Sequence, residues 1–178
     1  MANLILVTGG ARSGKSDYAL QRAEALPGPR CFIATCPVVD PEMADRIARH
    51  REERAGADWQ TVEEQTGIAA VLRAQHGSPV CLIDCLTLWV NNLMYHAEQA
   101  EKILADSDLR QQCELLIQAT DEHPGTVICV TNEVGMGIVP DNPAGRLYRD
   151  LVGRCNRMVA AAASEVILVS CGIPLRLK

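Results

Sequence analysis

The stretch that decides the fold is Leu4-Ile5-Leu6-Val7-Thr8-Gly9-Gly10-Ala11-Arg12-Ser13-Gly14-Lys15-Ser16. Its first part is a short apolar run typical of a buried strand, and a helical pattern follows from Ser16 to Leu26. The part between them matches the phosphate-binding pattern G-x-x-x-x-G-K-[ST] in full. Glycines let consecutive backbone N–H groups turn inward around anionic oxygens, and the following helix directs its positive end to the same place. The stretch therefore predicts a strand, a phosphate-binding loop and a helix.

Similar apolar runs recur along the chain and alternate with helical patterns such as Ala144 to Ala163. The runs are Cys31 to Thr35, Val80 to Ile83, Thr126 to Thr131 and Val166 to Val169. Because they are apolar without alternation, they fit strands whose two faces are both covered by helices. We predict an α/β fold with a mostly parallel sheet, formed by residues 1–178 as a single domain. The closing segment, Cys171 to Lys178, is predicted to add an edge strand that turns back.

Composition narrows the class of ligand. The chain has 178 residues, a formal net charge of −5 and only 3% aromatic residues. This composition argues against a nucleic-acid partner, which would favour a basic surface or aromatic stacking platforms. No signal peptide or membrane span is expected. The 8 cysteines include no Cys-x-x-Cys pair, so we predict reduced, mostly buried thiols in a cytoplasmic protein.

The phosphate loop assigns roles to individual residues. Lys15 is predicted to neutralise the β and γ phosphates of a nucleotide, and the Ser16 hydroxyl is predicted to ligate Mg²⁺. Asp84 follows a predicted strand and is the candidate second metal ligand, although it also suits the N-cap of the next helix. Glu133 follows another strand in a glycine-rich turn. It fits a catalytic base or a second-metal contact, and a plain salt bridge explains it equally well.

A helix is predicted over Pro41 to Arg54, since Asp40-Pro41-Glu42 is a good helix start. Its periodicity places Arg46, His50 and Arg54 on the side that carries apolar residues. Cations on an inward face require an anionic partner, which favours a phosphate-handling helix. A solvated helix with Arg and Glu paired four residues apart remains the alternative.

Several segments taken together resemble the bifunctional adenosylcobinamide kinase/adenosylcobinamide-phosphate guanylyltransferase family. The segments are Thr8 to Ser16, Arg46 to Arg51, Asp84 to Thr87, Val130 to Pro140 and Gly172 to Leu175. The resemblance implies a RecA-like P-loop fold that is often trimeric. It also implies phosphorylation of the aminopropanol hydroxyl of adenosylcobinamide, followed by transfer of GMP from GTP to that phosphate.

The resemblance further implies that His50 is the residue that becomes guanylylated. Some relatives show a His-His pair at this place, and here the first position is Arg49. Nucleotide contacts are implied for the phosphate loop and for nine further residues. These are Gly9, Gly10, Ala11, Arg12, Ser13, Gly14, Lys15 and Ser16, with Ala34, Thr35, Cys36, Arg51, Glu52, Glu53, Arg54, Glu63 and Asp84. Arg46 is a candidate phosphate contact. A carboxylate at Glu63 suits the N–H donors of guanine, although a surface acid is an equal alternative.

Two other functions stay open from the sequence. One is a single-activity small-molecule kinase in which His50 only contacts phosphate. The other is a non-catalytic nucleotide-binding switch, although no Asn-Lys-x-Asp guanine motif follows any predicted strand. Covalent transfer of a nucleotide to His50 separates the bifunctional enzyme from both. The sequence predicts ATP and GTP as substrates with Mg²⁺, but not which nucleotide serves the kinase step.

Overall fold

A computed structural model describes residues 3–37 and 58–178 of the chain. The helix predicted over 41–54 lies outside these residues. The predictions for Arg46, His50, Arg51, Glu52, Glu53 and Arg54 lie outside them as well.

The described residues form one seven-stranded sheet. Its strands are β1 (Asn3–Gly9), β2 (Arg30–Ala34), β3 (Trp59–Glu63), β4 (Val80–Asp84), β5 (Thr126–Val130), β6 (Glu165–Ser170) and β7 (Ile173–Arg176). The strand order is β3-β2-β4-β5-β1-β6-β7, and every neighbouring pair is parallel except β6 and β7. The predicted parallel α/β sheet and the predicted returning edge strand are both confirmed.

Strand β3 is not among the strands predicted from sequence. It reads Trp-Gln-Thr-Val-Glu and none of its residues is fully buried. Both faces of this edge strand are only partly covered, so it does not need the continuous apolar run that marks β1 or β4. The sequence signal for β3 is therefore weak.

Five helices connect the strands within the described residues. They are α1 (Lys15–Glu24), α2 (Ile68–Ala74), α3 (Leu86–Gln99), α4 (Asp106–Glu122) and α5 (Pro143–Ala162). The start of α5 shows how local sequence fixes a boundary. The Asn142 side chain accepts a hydrogen bond from the Gly145 N–H at 2.7 Å, and Pro143 occupies the first turn, where no backbone donor is needed.

Both faces of the sheet carry a core. Leu4, Leu6 and Cys129 belong to the larger core, which includes residues of α2 to α5. Ile5 and Val7 belong to the other core, which includes Ala19 and Ala23 of α1. Neighbouring residues of β1 thus point to opposite faces and are both buried, which explains the unbroken apolar run.

The prediction that the cysteines are free and mostly buried is also confirmed. All eight cysteines are free, six are buried, Cys36 is half-buried and Cys171 is exposed. Across residues 3–37 and 58–178, no helix is both long enough and apolar enough to cross a membrane.

Candidate active site

The phosphate loop joins the end of β1 to the start of α1, as predicted. Gly14 precedes the helix with a φ of 87°, a left-handed conformation that favours glycine. At Gly9, a Cβ atom would overlap the Val169 carbonyl oxygen and lie 2.6 Å from Ser13 Oγ. The turn from β6 into β7 supports the loop, since the Gly172 N–H donates to the Ser13 carbonyl oxygen at 2.8 Å. Backbone packing therefore sets the shape of the loop.

The side chains of the loop occupy one end of α1. Lys15 is half-buried and its ammonium donates to the Gly10 carbonyl oxygen at 3.1 Å. Ser16 is the second residue of the helix and is also half-buried. Ala11 and Arg12 are exposed on the outside of the turn. The predicted phosphate-binding residues thus form a continuous cradle at a helix N-terminus.

Three buried oxygens beside this cradle lack a hydrogen-bond partner in the described part of the chain. They are Thr8 Oγ1, Ser13 Oγ and Asn132 Oδ1. Buried polar atoms are rarely left unpaired, because each one costs free energy that a bonded group would recover. Their position at the end of β1, in the loop and after β5 fits a site completed by a polar ligand.

The acidic candidates lie at the same edge of the sheet. Val7, Val130 and Asp84 stand in one row across β1, β5 and β4, so Asp84 is two strands from the strand that precedes the loop. Two strand spacings amount to about 10 Å. Glu133 lies nearer, because its N–H donates to the Gly9 carbonyl oxygen at 3.0 Å. The Glu133 carboxylate also accepts a hydrogen bond from the Gly135 N–H at 2.9 Å.

The structure decides against the alternative that Asp84 is a helix cap. Helix α3 begins at Leu86, and Cys85 rather than Asp84 occupies its N-cap position. Asp84 is the last residue of β4 and is half-buried. Its position at the carboxyl end of a central parallel strand is where α/β sheets place ligand-binding groups.

The donor set is suitable for Mg²⁺. This ion prefers oxygen ligands and usually takes one or two carboxylates together with substrate phosphates. Ser16 and Asp84 supply a hydroxyl and a carboxylate, next to a cradle of the kind that binds phosphates. In the described residues there is no group of three or more His, Cys, Asp or Glu side chains able to hold a metal ion. A metal ion shared with the phosphates of a nucleotide does not need such a group.

Residues after β2 were predicted to contact the nucleotide. Thr35 is fully buried, and its hydroxyl both donates to the Cys85 carbonyl oxygen at 2.8 Å and accepts from the Cys85 N–H at 2.7 Å. Asn92 of α3 donates to the Thr35 carbonyl oxygen at 2.8 Å. The Thr35 side chain thus fixes the backbone that follows Asp84. Ala34 and Cys36 are half-buried on either side of it, and their contact with nucleotide stays a prediction.

The two acids after β3 differ in their surroundings. Glu64 Oε1 accepts from the N–H groups of Thr66 and Gly67, both at 2.8 Å, ahead of α2. These bonds stabilise the carboxylate, so they lower the pKa of Glu64. Glu63 is the exposed last residue of β3 at the carboxyl edge of the sheet. Glu64 therefore has a structural role, and the guanine contact stays a prediction for Glu63.

A buried polar network behind β5 was missed by sequence reasoning. Thr131 Oγ1 donates to Asn156 Oδ1 at 2.7 Å and lies 3.3 Å from Thr87 Oγ1. The Asn132 N–H donates to Thr87 Oγ1 at 2.8 Å, and Asn156 Nδ2 donates to the Asn132 carbonyl oxygen at 3.0 Å. The network holds the segment that carries Asn132 and Glu133. In the sequence, this network is indicated only by the polar residues that directly follow two apolar strands.

Comparison with known proteins decides the family. Residues 5–177 match the family model of cobinamide kinase / cobinamide phosphate guanyltransferase. The chain belongs to this family. It is 40% identical to the bifunctional adenosylcobalamin biosynthesis protein CobU of Salmonella typhimurium, over 98% of this chain and 99% of the relative. It is 39% identical to the bifunctional adenosylcobalamin biosynthesis protein CobP of Pseudomonas aeruginosa, over 97% of this chain and 96% of the relative.

The chain also superposes on solved structures that have RecA-like P-loop folds, which confirms the predicted fold class. An ATPase from the type III secretion system of pathogenic bacteria superposes with a TM-score of 0.61 at 12% identity. The match covers 93% of this chain and half of the ATPase chain, at 50%. The RadB recombinase superposes with a TM-score of 0.53 at 16% identity, over 93% of this chain and 73% of the recombinase. At these identities the likeness is one of fold.

Proposed function

We propose that this protein phosphorylates the aminopropanol hydroxyl of adenosylcobinamide and then transfers GMP from GTP to the new phosphate. The observation that carries the proposal is a family match along nearly the whole chain together with an intact phosphate cradle. The product is adenosyl-GDP-cobinamide. The oxygens of Thr8, Ser13 and Asn132 beside the cradle, which have no hydrogen-bond partner among residues 3–37 and 58–178, support a polar ligand there.

In the kinase step, the substrate hydroxyl oxygen attacks the γ-phosphorus of ATP or GTP and the nucleoside diphosphate leaves. Backbone N–H groups of the loop and the Lys15 ammonium stabilise the charge that develops on the transferred group. Ser16 and Asp84 would hold Mg²⁺, which neutralises phosphate charge when bound. Glu133 is the candidate acceptor of the hydroxyl proton, because its backbone is tied to Gly9 and its carboxyl lies at the same edge.

In the guanylyl step, a nitrogen of His50 attacks the α-phosphorus of GTP. A P–N bond forms, the bond to the β-phosphate oxygen breaks and pyrophosphate leaves. An oxygen of adenosylcobinamide phosphate then attacks the same phosphorus and releases the histidine. Arg46, Arg51 and Arg54 would stabilise the phosphate charge, Glu52 and Glu53 belong to the nucleotide contacts, and Glu63 would accept the guanine N–H donors. The supports for these roles are the family resemblance and the predicted helix.

The protein is further proposed to act in the cytoplasm as a homo-oligomer, with a trimer as the family-based expectation. Eight free cysteines suit a reducing compartment. No partner other than the corrinoid and the nucleotides is required by the reactions.

The decisive experiment is incubation with labelled GTP followed by denaturation of the protein. GTP labelled at the α-phosphate should leave label on the polypeptide, and GTP labelled at the γ-phosphate should not. A phosphoramidate is lost in acid and survives in alkali, so the label should follow that pattern and release GMP. A label stable in acid would indicate an ester at a hydroxyl residue instead.

The His50→Ala variant completes this test. It should lose the label and the transfer of GMP to adenosylcobinamide phosphate, yet keep a substantial part of the kinase activity, because γ-phosphoryl transfer needs no protein nucleophile. His76→Ala is the matched control, since His76 is an exposed histidine elsewhere in the chain. Near wild-type rates of GMP transfer in His50→Ala would contradict the assignment of His50 as nucleophile and would favour direct attack by the substrate phosphate.

A further inference from the structure

An apolar surface lies on the segment that follows β5. Met136, Ile138 and Val139 are 84%, 95% and 58% exposed. They stand in the glycine-containing run 134–140, after Glu133. Three exposed apolar side chains so close in the chain are unfavourable in water, so a contact that buries them would be favoured.

This segment is braced at both ends. At its start, Gly135 N–H donates to the Glu133 carboxylate at 2.9 Å, and the Arg149 guanidinium donates to the Gly135 carbonyl oxygen at 2.7 Å. At its end, the Arg146 guanidinium donates to the carbonyl oxygens of Pro140 and Asp141 at 3.1 and 2.7 Å. Two arginines of α5 therefore hold the backbone while the apolar side chains between them stay exposed. A braced surface loses less conformational entropy on binding a ligand than a free loop would.

The braced segment begins beside the phosphate loop. The Glu133 N–H donates to the Gly9 carbonyl oxygen at 3.0 Å, and Glu133 is the residue from which the segment departs. A molecule that rests on Met136 and Ile138 would thus lie next to the phosphates of a nucleotide in the cradle. An acceptor of phosphate must reach that position.

We propose that Met136, Ile138 and Val139 form the surface that binds the corrin ring of the acceptor. This inference rests on the proposed function and deepens it. The acceptor is a large macrocycle with methyl groups on its periphery, and its aminopropanol arm carries the hydroxyl that reacts. Apolar contact with the ring orients the arm toward the γ-phosphate, and flexible methionine adapts well to an irregular apolar partner.

The test compares a double variant, Met136→Ser with Ile138→Ser, with the wild type. Both side chains are exposed, so the substitutions remove no buried packing. At saturating nucleotide, the KM for adenosylcobinamide in the kinase reaction should rise about tenfold or more. The KM for nucleotide should stay within about twofold. Ile103→Ser is the matched control, because Ile103 is 79% exposed in the connection between α3 and α4, and it should behave as wild type.

The conservative double variant, Met136→Leu with Ile138→Val, should restore the acceptor KM, because it keeps the apolar surface. An unchanged acceptor KM in the serine variant would overturn the proposal. If that result came with a changed oligomeric state in sedimentation, the surface would be a contact between copies of the chain instead. Labelling by α-labelled GTP needs no corrinoid, so its failure in the wild type would count against the proposed function and not against this surface.

Discussion

Lys15 is positioned by the backbone of the loop it serves. Its ammonium donates to the Gly10 carbonyl oxygen at 3.1 Å, while Gly9 and Gly14 fix the turn through close packing and a positive φ. The shape of the loop therefore does not depend on the lysine charge. We therefore expect a substitution of Lys15 to affect catalysis and not folding.

Lys15→Ala should lower phosphoryl transfer by about 100-fold or more, because the ammonium stabilises charge on the transferred phosphate. The free energy of unfolding should change by less than about 0.5 kcal/mol, as for most substitutions outside the core. Steady-state kinase rates and urea unfolding measure the two effects. Lys102→Ala, at an exposed lysine between α3 and α4, should leave both unchanged. A Lys15→Ala rate within about tenfold of wild type would remove the loop from the catalytic site.

Strands β4 and β5 end at the same edge of the sheet, and the acidic residues Asp84 and Glu133 lie at these two ends. Register fixes the row that contains Asp84 and Val130, and the network of Thr87, Thr131 and Asn156 holds the segment after β5. The two acids thus reach the edge by different means. Asp84 ends a central strand, whereas Glu133 lies in a braced turn.

Asp84→Asn should raise the Mg²⁺ concentration needed for half-maximal kinase activity by about tenfold or more, because an amide is a weaker ligand for this ion than a carboxylate. Nucleotide binding measured in EDTA should change much less, and EDTA should abolish turnover in the wild type. Glu133→Gln is the matched variant, at the other acid of the same edge. If Glu133→Gln changes the Mg²⁺ requirement and Asp84→Asn does not, the metal assignment moves to Glu133.

At the scale of the whole molecule, a buried titratable side chain, that of His123, lies away from the candidate site. His123 precedes β5 at the amino end of the sheet, opposite the phosphate loop, and it is 2% exposed. Its Nδ1 accepts from the Gly125 N–H at 3.2 Å, and its Nε2 lies 3.4 Å from Cys81 Sγ. Burial, with a smaller effect from His76, lowers the pKa of His123 below its ordinary value of 6.5.

This lowered pKa makes stability dependent on pH. As the pH falls below 6.5, the unfolded chain binds a proton at His123 before the folded protein does, so the free energy of unfolding falls. The loss should continue down to the folded pKa, at a slope no steeper than about 1.4 kcal/mol per pH unit for this one group. Urea unfolding between pH 7 and pH 5 measures the slope. His123→Gln should flatten it, and an equal slope in that variant would assign the loss to other groups.

The sequence by itself determined the strand, loop and helix at 4–26 and the parallel class of the sheet. These features rest on local rules: glycines at fixed spacing, a lysine and a serine at a helix start, and strands apolar on both faces. It also indicated Asp84, because an acid directly after a central apolar strand is a local signal. The role of His50 came from family resemblance, and it stays a prediction.

Only the tertiary structure decided which polar groups face the core and which apolar groups face solvent. Strand β3 is an edge with a weak pattern, and Thr35 turns inward to Cys85 although it stands among the predicted nucleotide contacts. Asn156 meets Thr131 across 25 residues of chain. Ile138 is exposed even though isoleucine is a residue type that is usually buried. For Thr35 and Asn156 the deciding partner is distant in sequence, and local pattern carries no information about contacts of that kind.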